Sequence, residues 1–247
     1  MNIAVFASHG GSDLQAIIDG CKNNQINARV SVVISNNGNS MALQRAEAEG
    51  IPAYHLSANK SGNEEALATE ILDILAKYNV EMIFLAGYMR MLHISVLEKY
   101  NNRIFNIHPA LLPKFGGKGM HGMNVHTAVI KAKESETGVT IHRVNAEYDS
   151  GEIVAQTTVP VLKNDTPEIL AARVLDREYE FLVEVIGDIV NGYKVSDKNG
   201  TLLCTNIKGI DRSGYHIPIS QYGDGIETIL TKEQYQANCY KVGGEEC

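Results

Sequence analysis

The chain has 247 residues, of which 44% are hydrophobic and 21% charged, and its formal net charge is −7. This is ordinary globular composition, and the length suits one large α/β domain or one domain with a small appendage. The acidic balance disfavours a general nucleic-acid-binding protein, which needs an excess of lysine and arginine, although a few local donors can still hold a small anion.

Strand and helix patterns alternate through the first half of the chain. NIAVFA predicts a compact apolar strand, and the helix SDLQAIIDGC follows with Leu14, Ile17, Ile18 and Cys21 on one face. VSVVIS predicts a strand, SMALQRAEAEG a helix that ends at Gly50, and IPAYHL a short extended segment. The helix EEALATEILDILAKYN then precedes VEMIFLAG, which is apolar on both faces, as is typical of a central parallel strand.

The second half continues the alternation. HISVLEKY predicts a short helix before the strand RIFNIH, and a glycine-rich loop precedes the helix NVHTAVIKAKE. GVTIHRVN and EIVAQTTVPV predict a pair of strands. The last helix begins near Thr166-Pro167, with threonine as N-cap, and ends near Gly192. Together these elements predict an α/β fold, with a Rossmann-like, mostly parallel twisted sheet and helices on both faces.

The segment after about Val195 differs in composition from the rest. It is polar, richer in glycine, tyrosine and asparagine, and has no long helical pattern. LLCTNI and GYHIPIS are candidates for short strands, and we interpret the segment as an appended hairpin or a docked tail. We therefore predict a main domain over residues 1–192 and a C-terminal extension over residues 193–247.

Other sequence features narrow the class of protein. No stretch approaches the roughly 18 apolar residues of a membrane-spanning helix, and MNIAVFASHGG lacks the pattern of a signal peptide. The cysteines at positions 21, 204, 239 and 247 form neither a CxxC pair nor a His/Cys cluster. We therefore expect no zinc site and no disulfide framework, and a protein of the reducing cytoplasm.

Two loops are the first candidates for a ligand site. Ligands of such sheets bind at the carboxyl ends of the strands, near a switch in strand order. Residues 10–13 (GGSD) join the first strand to the first helix, where free N–H groups and the helix dipole favour phosphate or carboxylate. A tight turn capped by Ser12 explains the same residues, and the full GxGxxG pattern is absent.

The second loop follows RIFNIHPALLP, in which Asn106 and His108 interrupt an apolar strand two residues apart. Residues so spaced point to the same face. Each alone has a structural explanation, but together they form a donor pair suited to a developing oxyanion. Asp149, in the turn-like Asp-Ser-Gly, either bonds its own backbone or raises the pKa of His108 and orients its ring.

Two further stretches have both a structural and a functional interpretation. Met89, Met91 and Leu92 follow the most apolar strand and either pack in the core or line a pocket for a flat ring. Arg177 and Glu178 lie on the last helix, where charged side chains are usually solvated unless they face the site.

Five stretches, in this order, resemble the folate-dependent formyltransferases and, within them, the branch that acts on glycinamide ribonucleotide (GAR). They are GSDLQAIIDGC, FLAGYMRML, FNIHPALLPKF, GVTIHRVNAEYDSGEIVAQ and RVLDREYEF, and the resemblance covers residues 1 to about 190. Asn-x-His-Pro with the downstream Asp-x-Gly is typical of the wider formyltransferase fold, and the GS[ND]LQA-type loop is typical of the GAR branch. The methionyl-tRNA branch would need a longer C-terminal nucleic-acid-binding domain.

The resemblance implies formyl transfer from 10-formyltetrahydrofolate to the amine of GAR in de novo purine biosynthesis, without a metal. It implies Asn106, His108 and Asp149 as the catalytic residues, with His142 as a second histidine near the site. The substrate-binding residues that it implies are Gly11, Ser12 and Asp13 for the phosphate and Glu178 near the amine and ribose. Those implied for the folate are Met89, Arg90, Met91, Leu92, Asn106, Asn145, Ala146, Glu147 and Tyr148. It implies small-molecule partners, no nucleic acid and no membrane, and a monomer or homodimer.

In the implied reaction a primary amine attacks the formyl carbon. The N–H of Asn106 and a protonated His108 stabilise the oxyanion, and Asp149 keeps His108 charged and oriented. The amine proton reaches the folate nitrogen through His108 or a held water. Because the formyl group is already activated on the folate, no metal and no covalent enzyme intermediate are needed.

The chain departs from the family pattern at several positions. Asp13 stands where asparagine is common, Glu64 where some relatives carry an arginine near the folate tail, and His9 where glycine is usual. The loop FGGKGMHGMNVH is longer and richer in glycine than in several relatives. Two other functions remain open from the sequence, namely a sugar-nucleotide N-formyltransferase with the same trio and a non-catalytic mononucleotide- or folate-binding module.

Overall fold

A computed structural model describes residues 1–195, 202–204 and 215–216. The helices are α1 (Ser12–Lys22), α2 (Met41–Ala48), α3 (Ala58–Ser61), α4 (Glu64–Lys77), α5 (Ile94–Lys99), α6 (Met123–Ala132) and α7 (Pro167–Gly192). The strands are β1 (Asn2–Phe6), β2 (Arg29–Ser35), β3 (Ala53–His55), β4 (Met82–Leu85), β5 (Ile104–His108), β6 (Glu136–Arg143), β7 (Ile153–Pro160), β8 (Tyr193–Val195), β9 (Leu202–Cys204) and β10 (Tyr215–His216). Apart from the one-turn helix α3, every element up to α7 is one that the sequence predicts.

The main sheet has eight strands in the order β10-β7-β6-β5-β4-β1-β2-β3. Strands β3, β2, β1, β4 and β5 are parallel, whereas β6, β7 and β10 join by antiparallel pairing. After β1 the chain builds outward through β2 and β3 and then returns to the other side of β1 as β4. The strand order therefore switches between β1 and β4, and the carboxyl ends of these strands and of β5 form one edge of the sheet.

Hydrophobic residues on the two faces of the sheet pack against two separate layers of helices. Ile3 and Val5 of β1 face the layer that contains α1, α6 and α7, where Phe181 is fully buried. Ala4 and Phe6 face the opposite layer, formed by α4 and α5. This alternation along β1 places helices on both faces and confirms the predicted Rossmann-like α/β class.

The helix boundaries follow local signals in the sequence. Asn63 caps α4 through its side chain, which accepts from the N–H of Ala66, and Thr166 accepts from Ile169 at the start of α7. Gly50, the predicted stop of α2, has a positive φ of 67° just beyond the helix end. Such residues satisfy backbone groups that a helix end leaves unpaired.

Part of the segment beyond Gly192 is described. Strands β8 and β9 form an antiparallel pair, and β10 pairs with β7 through Tyr215 and His216. The two short strands predicted from LLCTNI and GYHIPIS are therefore present over part of their lengths. The remaining predictions for residues 193–247 lie outside the described residues. Of the helices in the described ranges, none has the length and apolar character needed to cross a membrane.

Gly138 of β6 offers a test of the sheet packing. A Cβ at this position would overlap the carbonyl oxygen of Thr157 on the neighbouring strand β7. We expect Gly138→Ala to lower the free energy of unfolding by about 1–3 kcal/mol, because backbone must move to relieve the overlap. Chemical denaturation measures the change. Gly10→Ala is the control, since a Cβ added there would have no atom within 4 Å, and an equal loss in both variants would contradict the argument.

Candidate active site

Antiparallel pairing of β5 with β6 places Asn106 directly opposite His142. The Nδ2 atom of Asn106 lies 3.0 Å from Nε2 of His142 and 3.3 Å from Oδ1 of Asp149. Asp149 follows β6 in a turn and has a positive φ of 50°, a conformation that aspartate tolerates better than most residues. The three polar side chains therefore meet at the carboxyl end of β5. The spacing in the sequence predicts only that Asn106 and His108 share a face of this strand, whereas Asp149 and His142 were implied by the family resemblance.

The neighbours of His142 fix its proton. Its Nδ1 lies 2.8 Å from the carbonyl oxygen of Arg143, which can only accept, so Nδ1 carries hydrogen. Its Nε2 is then the acceptor for one N–H of Asn106, and the carboxylate of Asp149 accepts the other. Both amide hydrogens of Asn106 are thus directed at protein acceptors, and a substrate oxygen must share or displace one of them.

His108 lies between two acceptors. Its Nε2 donates to the carbonyl oxygen of Phe115 at 2.8 Å, and its Nδ1 lies 3.6 Å from Oδ2 of Asp149. The same Oδ2 accepts a hydrogen bond of 2.9 Å from the N–H of Gly117. Because Nε2 already carries a hydrogen, a further proton on Nδ1 would face the carboxylate and give an imidazolium with an acceptor near each nitrogen.

The charge of His108 differs from the expectation. Burial lowers the pKa of His108 below its ordinary value of 6.5, and the carboxylate of Asp149 and the Phe115 carbonyl oppose this effect without overcoming it. Asp149 therefore acts in the expected direction, but the prediction that it keeps His108 charged is wrong for this structure. Burial raises the pKa of Asp149, yet the polar groups around its carboxylate, among them the N–H of Gly117 at 2.9 Å, outweigh this effect, so the pKa of Asp149 is lowered and it is ionised.

A polar network holds the loop after His108. Thr140 lies opposite His108 on β6, and its hydroxyl donates to Ala110 and accepts from the N–H of Leu112. Gln156 of β7 donates to the same hydroxyl and to the carbonyl oxygen of Leu112. The strands thus bind the loop that carries the Phe115 carbonyl to His108.

Two of the three predicted catalytic residues, Asn106 and Asp149, border a cavity of about 80 Å³ between two loops, whereas His108 lies behind Asp149, outside its lining. Asn106, His142 and Asp149 form its polar wall. Of the residues predicted to bind the folate, the lining also includes Arg90, Met91, Leu92, Asn145, Glu147 and Tyr148. Met89 and Ala146 lie in the same loops but outside this lining. The side-chain oxygen of Asn145 accepts from Glu147 and Ser150, so it also stabilises its own loop.

The loop after β4 separates this cavity from a neighbouring one of about 240 Å³, because Tyr88, Arg90, Met91 and Leu92 line both. The N–H of Met89 donates to the hydroxyl of Ser8, which fixes this loop to the end of β1. The guanidinium of Arg90 lies 3.3 Å from the carboxylate of Glu64, with both side chains exposed.

The other predicted loop joins β1 to α1. Gly11 precedes the helix with a positive φ of 68°, and a Cβ there would lie 2.8 Å from Cα of Ala42. Only glycine fits this close approach without movement of α2. The first N–H of α1 with a partner inside the helix is that of Gln15, which bonds Gly11. The preceding N–H groups of Ser12, Asp13 and Leu14 thus remain for an anion.

Two carboxyl groups lie beside this helix start. Glu178 of α7 is 7% exposed, and Asp13 has a buried oxygen without a hydrogen-bond partner among the described residues. Burial raises the pKa of Asp13 to about 6. Burial, and then the neighbouring charge of Asp13, raise the pKa of Glu178 well above its ordinary value. The structure therefore brings together Asp13 and Glu178, which are far apart in the sequence.

Several residues at the site were not identified from the sequence. The Phe115 carbonyl and the N–H of Gly117 contact His108 and Asp149, and the glycine-rich stretch FGGKG was the signal that could have pointed to a loop closely approaching the site. His126 of α6 is buried with no partner for Nδ1 in the described part of the chain, and burial and the nearby His108 lower its pKa. An isolated histidine on a helix gave no sequence signal.

Fold and site together define a class of protein, namely an α/β protein with a glycine-preceded helix start after its first strand and a cluster of asparagine, histidine and aspartate side chains at the carboxyl edge of its parallel strands. Among the described residues, no group of three or more histidine, cysteine or acidic side chains is placed to hold a metal ion.

Comparison with known proteins gives the family. Residues 1–186 match the formyl transferase family model. The chain is 43% identical over 188 residues to the chloroplastic phosphoribosylglycinamide formyltransferase of Arabidopsis thaliana, covering 76% of this chain and 64% of that protein. It is 35% identical over 203 residues to phosphoribosylglycinamide formyltransferase of Escherichia coli, covering 82% and 93%. The chain belongs to the formyl transferase family.

Solved structures agree with this assignment. Glycinamide ribonucleotide transformylase 1 from Symbiobacterium toebii superposes with a TM-score of 0.73 at 34% identity, covering 83% of this chain and 94% of that one. The similarity to the Arabidopsis and Vigna unguiculata relatives spans 64% of the length of each.

Proposed function

We propose that this protein transfers a formyl group from 10-formyltetrahydrofolate to the amine of GAR, a step of de novo purine biosynthesis. The proposal rests on the contacts of Asp149. Its carboxylate lies within 3.6 Å of Asn106, His108 and His142, and Asp149 itself lines a cavity. Relatives with the name phosphoribosylglycinamide formyltransferase support GAR as the acceptor, and the sequence resemblance implies 10-formyltetrahydrofolate as the donor. The roles of the individual residues are part of our proposal.

The folate would occupy the cavity beside the trio. Met91, Leu92 and Tyr148 offer apolar surface to a flat ring, and the neighbouring cavity across the loop of Tyr88 and Arg90 gives room for the rest of the molecule. The phosphate of GAR would bind at the start of α1, where the N–H groups of residues 12–14 and the helix dipole favour a dianion.

His108 would act first as a proton acceptor. It is neutral near neutral pH because burial lowers its pKa. When the amine nitrogen bonds to the formyl carbon, Nδ1 takes the amine proton, and Asp149 and the Phe115 carbonyl stabilise the imidazolium that results. The same proton then passes to the folate nitrogen as its bond to the formyl carbon breaks, which returns His108 to its neutral form.

Asn106 would stabilise the oxyanion of the tetrahedral intermediate. Its two N–H groups point to His142 and Asp149 in this structure, so one must turn or share its hydrogen when the negative charge develops. Such a donor is most effective where burial excludes water. His142 holds the amide in place, and Asp149 both anchors Asn106 and orients His108.

We further propose that residues 1–192 form the catalytic domain and that residues 193–247 are an extension outside it. All of the residues assigned to the site lie before Gly192, where α7 ends. The small-molecule partners require no nucleic acid and no membrane, and the reaction requires no metal because the formyl group is activated on the folate.

An assay with two acceptors tests the proposed function. We expect the full chain to formylate GAR with 10-formyltetrahydrofolate, measured by release of tetrahydrofolate, and a chain ending at Gly192 to retain this activity. Transfer to an amino-sugar nucleotide but not to GAR would instead indicate a sugar-nucleotide N-formyltransferase. Binding of either substrate without transfer to any acceptor would indicate a binding module.

A further inference from the structure

We propose that Asp13 takes up a proton when the phosphate-bearing substrate binds, so that it contacts the ligand as a neutral carboxylic acid in the way that an asparagine amide would. The inference rests on the proposed function, because it requires the phosphate of GAR to lie at the start of α1. The proposed role, uptake of a proton on binding, requires an aspartate at position 13 and is impossible for an asparagine.

Among residues 1–195 and the described parts of the C-terminal segment, no positively charged side chain is seen to bond Asp13. Asp13 is the second residue of α1, and one of its carboxyl oxygens is fully buried with no hydrogen-bond partner in the described ranges. Glu178 of α7, which is 7% exposed, is close enough for the charge of Asp13 to raise its pKa. A phosphate at the helix start would thus add two negative charges beside two buried carboxyl groups, which is unfavourable unless protons neutralise them.

The other charged groups around α1 are directed elsewhere. Arg45 of α2 donates to the carbonyl oxygen of Gly10 and to the side chain of Gln15. Arg177, which precedes Glu178 on α7, donates to Thr157 and Glu180.

At the far end of α1, Lys22 pairs with Glu49, which follows α2. Arg29, at the start of β2, bonds Asn2. His9 lies in the loop with its side chain exposed to solvent. None of these groups, in the part of the chain that the structure describes, is seen to neutralise Asp13, and we infer that a proton does so when the phosphate binds.

The pKa values of the two carboxyl groups in the free protein are consistent with this uptake. Burial, and then the charge of Asp13, raise the pKa of Glu178, so both favour its protonated form. Asp13, with a pKa raised to about 6 by burial, is mostly ionised at pH 7 to 8. A bound phosphate raises the pKa of Asp13 further. Below pH 6 the acid form is already present, so binding is unimpeded there, and affinity falls as the pH rises above 6.

The test compares the dissociation constant of GAR for the unchanged protein and for Asp13→Asn between pH 5.5 and 8.5. Asparagine keeps the shape but cannot ionise, and taking the ratio of the two constants cancels the titration of the ligand itself. The dissociation constant of the unchanged protein, divided by that of Asp13→Asn, should rise about tenfold per pH unit above pH 6. This is the slope expected when binding takes up one proton. Calorimetry in two buffers of different ionisation enthalpy should show a greater proton uptake, by up to one proton, for the unchanged protein.

Asp19→Asn is the matched control, since Asp19 lies on the same helix and contacts Gln15. The dissociation constant of GAR for Asp19→Asn should vary with pH as it does for the unchanged protein. If Asp13→Asn does not fold, Asp13→Ser replaces it. A flat ratio overturns the inference, and so does a net release of protons at Asp13, which would mean that the carboxylates bind the substrate's ammonium group. If GAR is bound and formylated with a flat ratio, only this inference fails, whereas absence of GAR binding at every pH removes the proposed function as well.

Discussion

Replacement of His108 by alanine is expected to reduce kcat for formyl transfer by about 10²–10³, the usual cost of losing a group that stabilises charge in the transition state. The imidazole is nearly buried, and its two nitrogens lie near the Phe115 carbonyl and Asp149. Alanine removes the proton acceptor, and position 108 is outside the lining of the cavity of about 80 Å³ in which the folate would bind. Titration of a folate analogue should therefore give a dissociation constant close to that of the unchanged protein.

Two comparisons make the His108 result specific. His55→Ala removes a histidine from β3, an edge strand separated from β5 by β4, β1 and β2, and should leave kcat unchanged. Asn106→Ala should lose a similar factor to His108→Ala, and the double variant less than the product of the two losses, because both residues act through Asp149. Thermal unfolding separates catalysis from stability. Near-normal turnover in a folded His108→Ala protein would contradict the proposed mechanism.

Most of the fold could be predicted because its elements carry local signals. The apolar runs of β1, β2 and β4, the helical spacing of Leu14, Ile17 and Ile18, and the cap at Thr166 each specify an element without distant contacts. Helix α3, with four residues, is too short to show a periodic pattern. The pairing of β10 with β7 was beyond prediction, because sequence periodicity does not reveal which strands are neighbours.

The candidate site was predictable in its members but not in its balance of charges. Spacing alone places Asn106 and His108 on one face of β5. Whether His108 is charged depends on how burial compares with the attraction of Asp149, and that comparison needs coordinates. The contact of His108 with Phe115 involves a backbone oxygen, which every residue has, so no side-chain pattern could indicate it. The same holds for the burial of Glu178 beside Asp13.

Asp149→Asn is expected to have an effect as large as that at His108, about 10²–10³ in kcat, because it changes three contacts at once. The carboxylate accepts from Asn106 and from the N–H of Gly117 and attracts the proton on His108. An amide has the same shape but no charge, so it cannot stabilise the imidazolium. Without the attraction of Asp149, burial should lower the pKa of His108 further below 6.5.

The direction of the pH dependence follows from the role of His108 as a proton acceptor. Activity that needs a neutral base rises with pH through the pKa of that base, so the acidic limb of kcat/KM should move to lower pH in Asp149→Asn. A histidine titration followed by NMR should show the same direction. Asp73→Asn, an exposed carboxylate on α4, is the matched control and should leave both curves in place. If kcat falls while the limb and the pKa of His108 stay where they were, Asp149 would act by holding Asn106 and the loop at Gly117 alone, and its electrostatic role would be refuted.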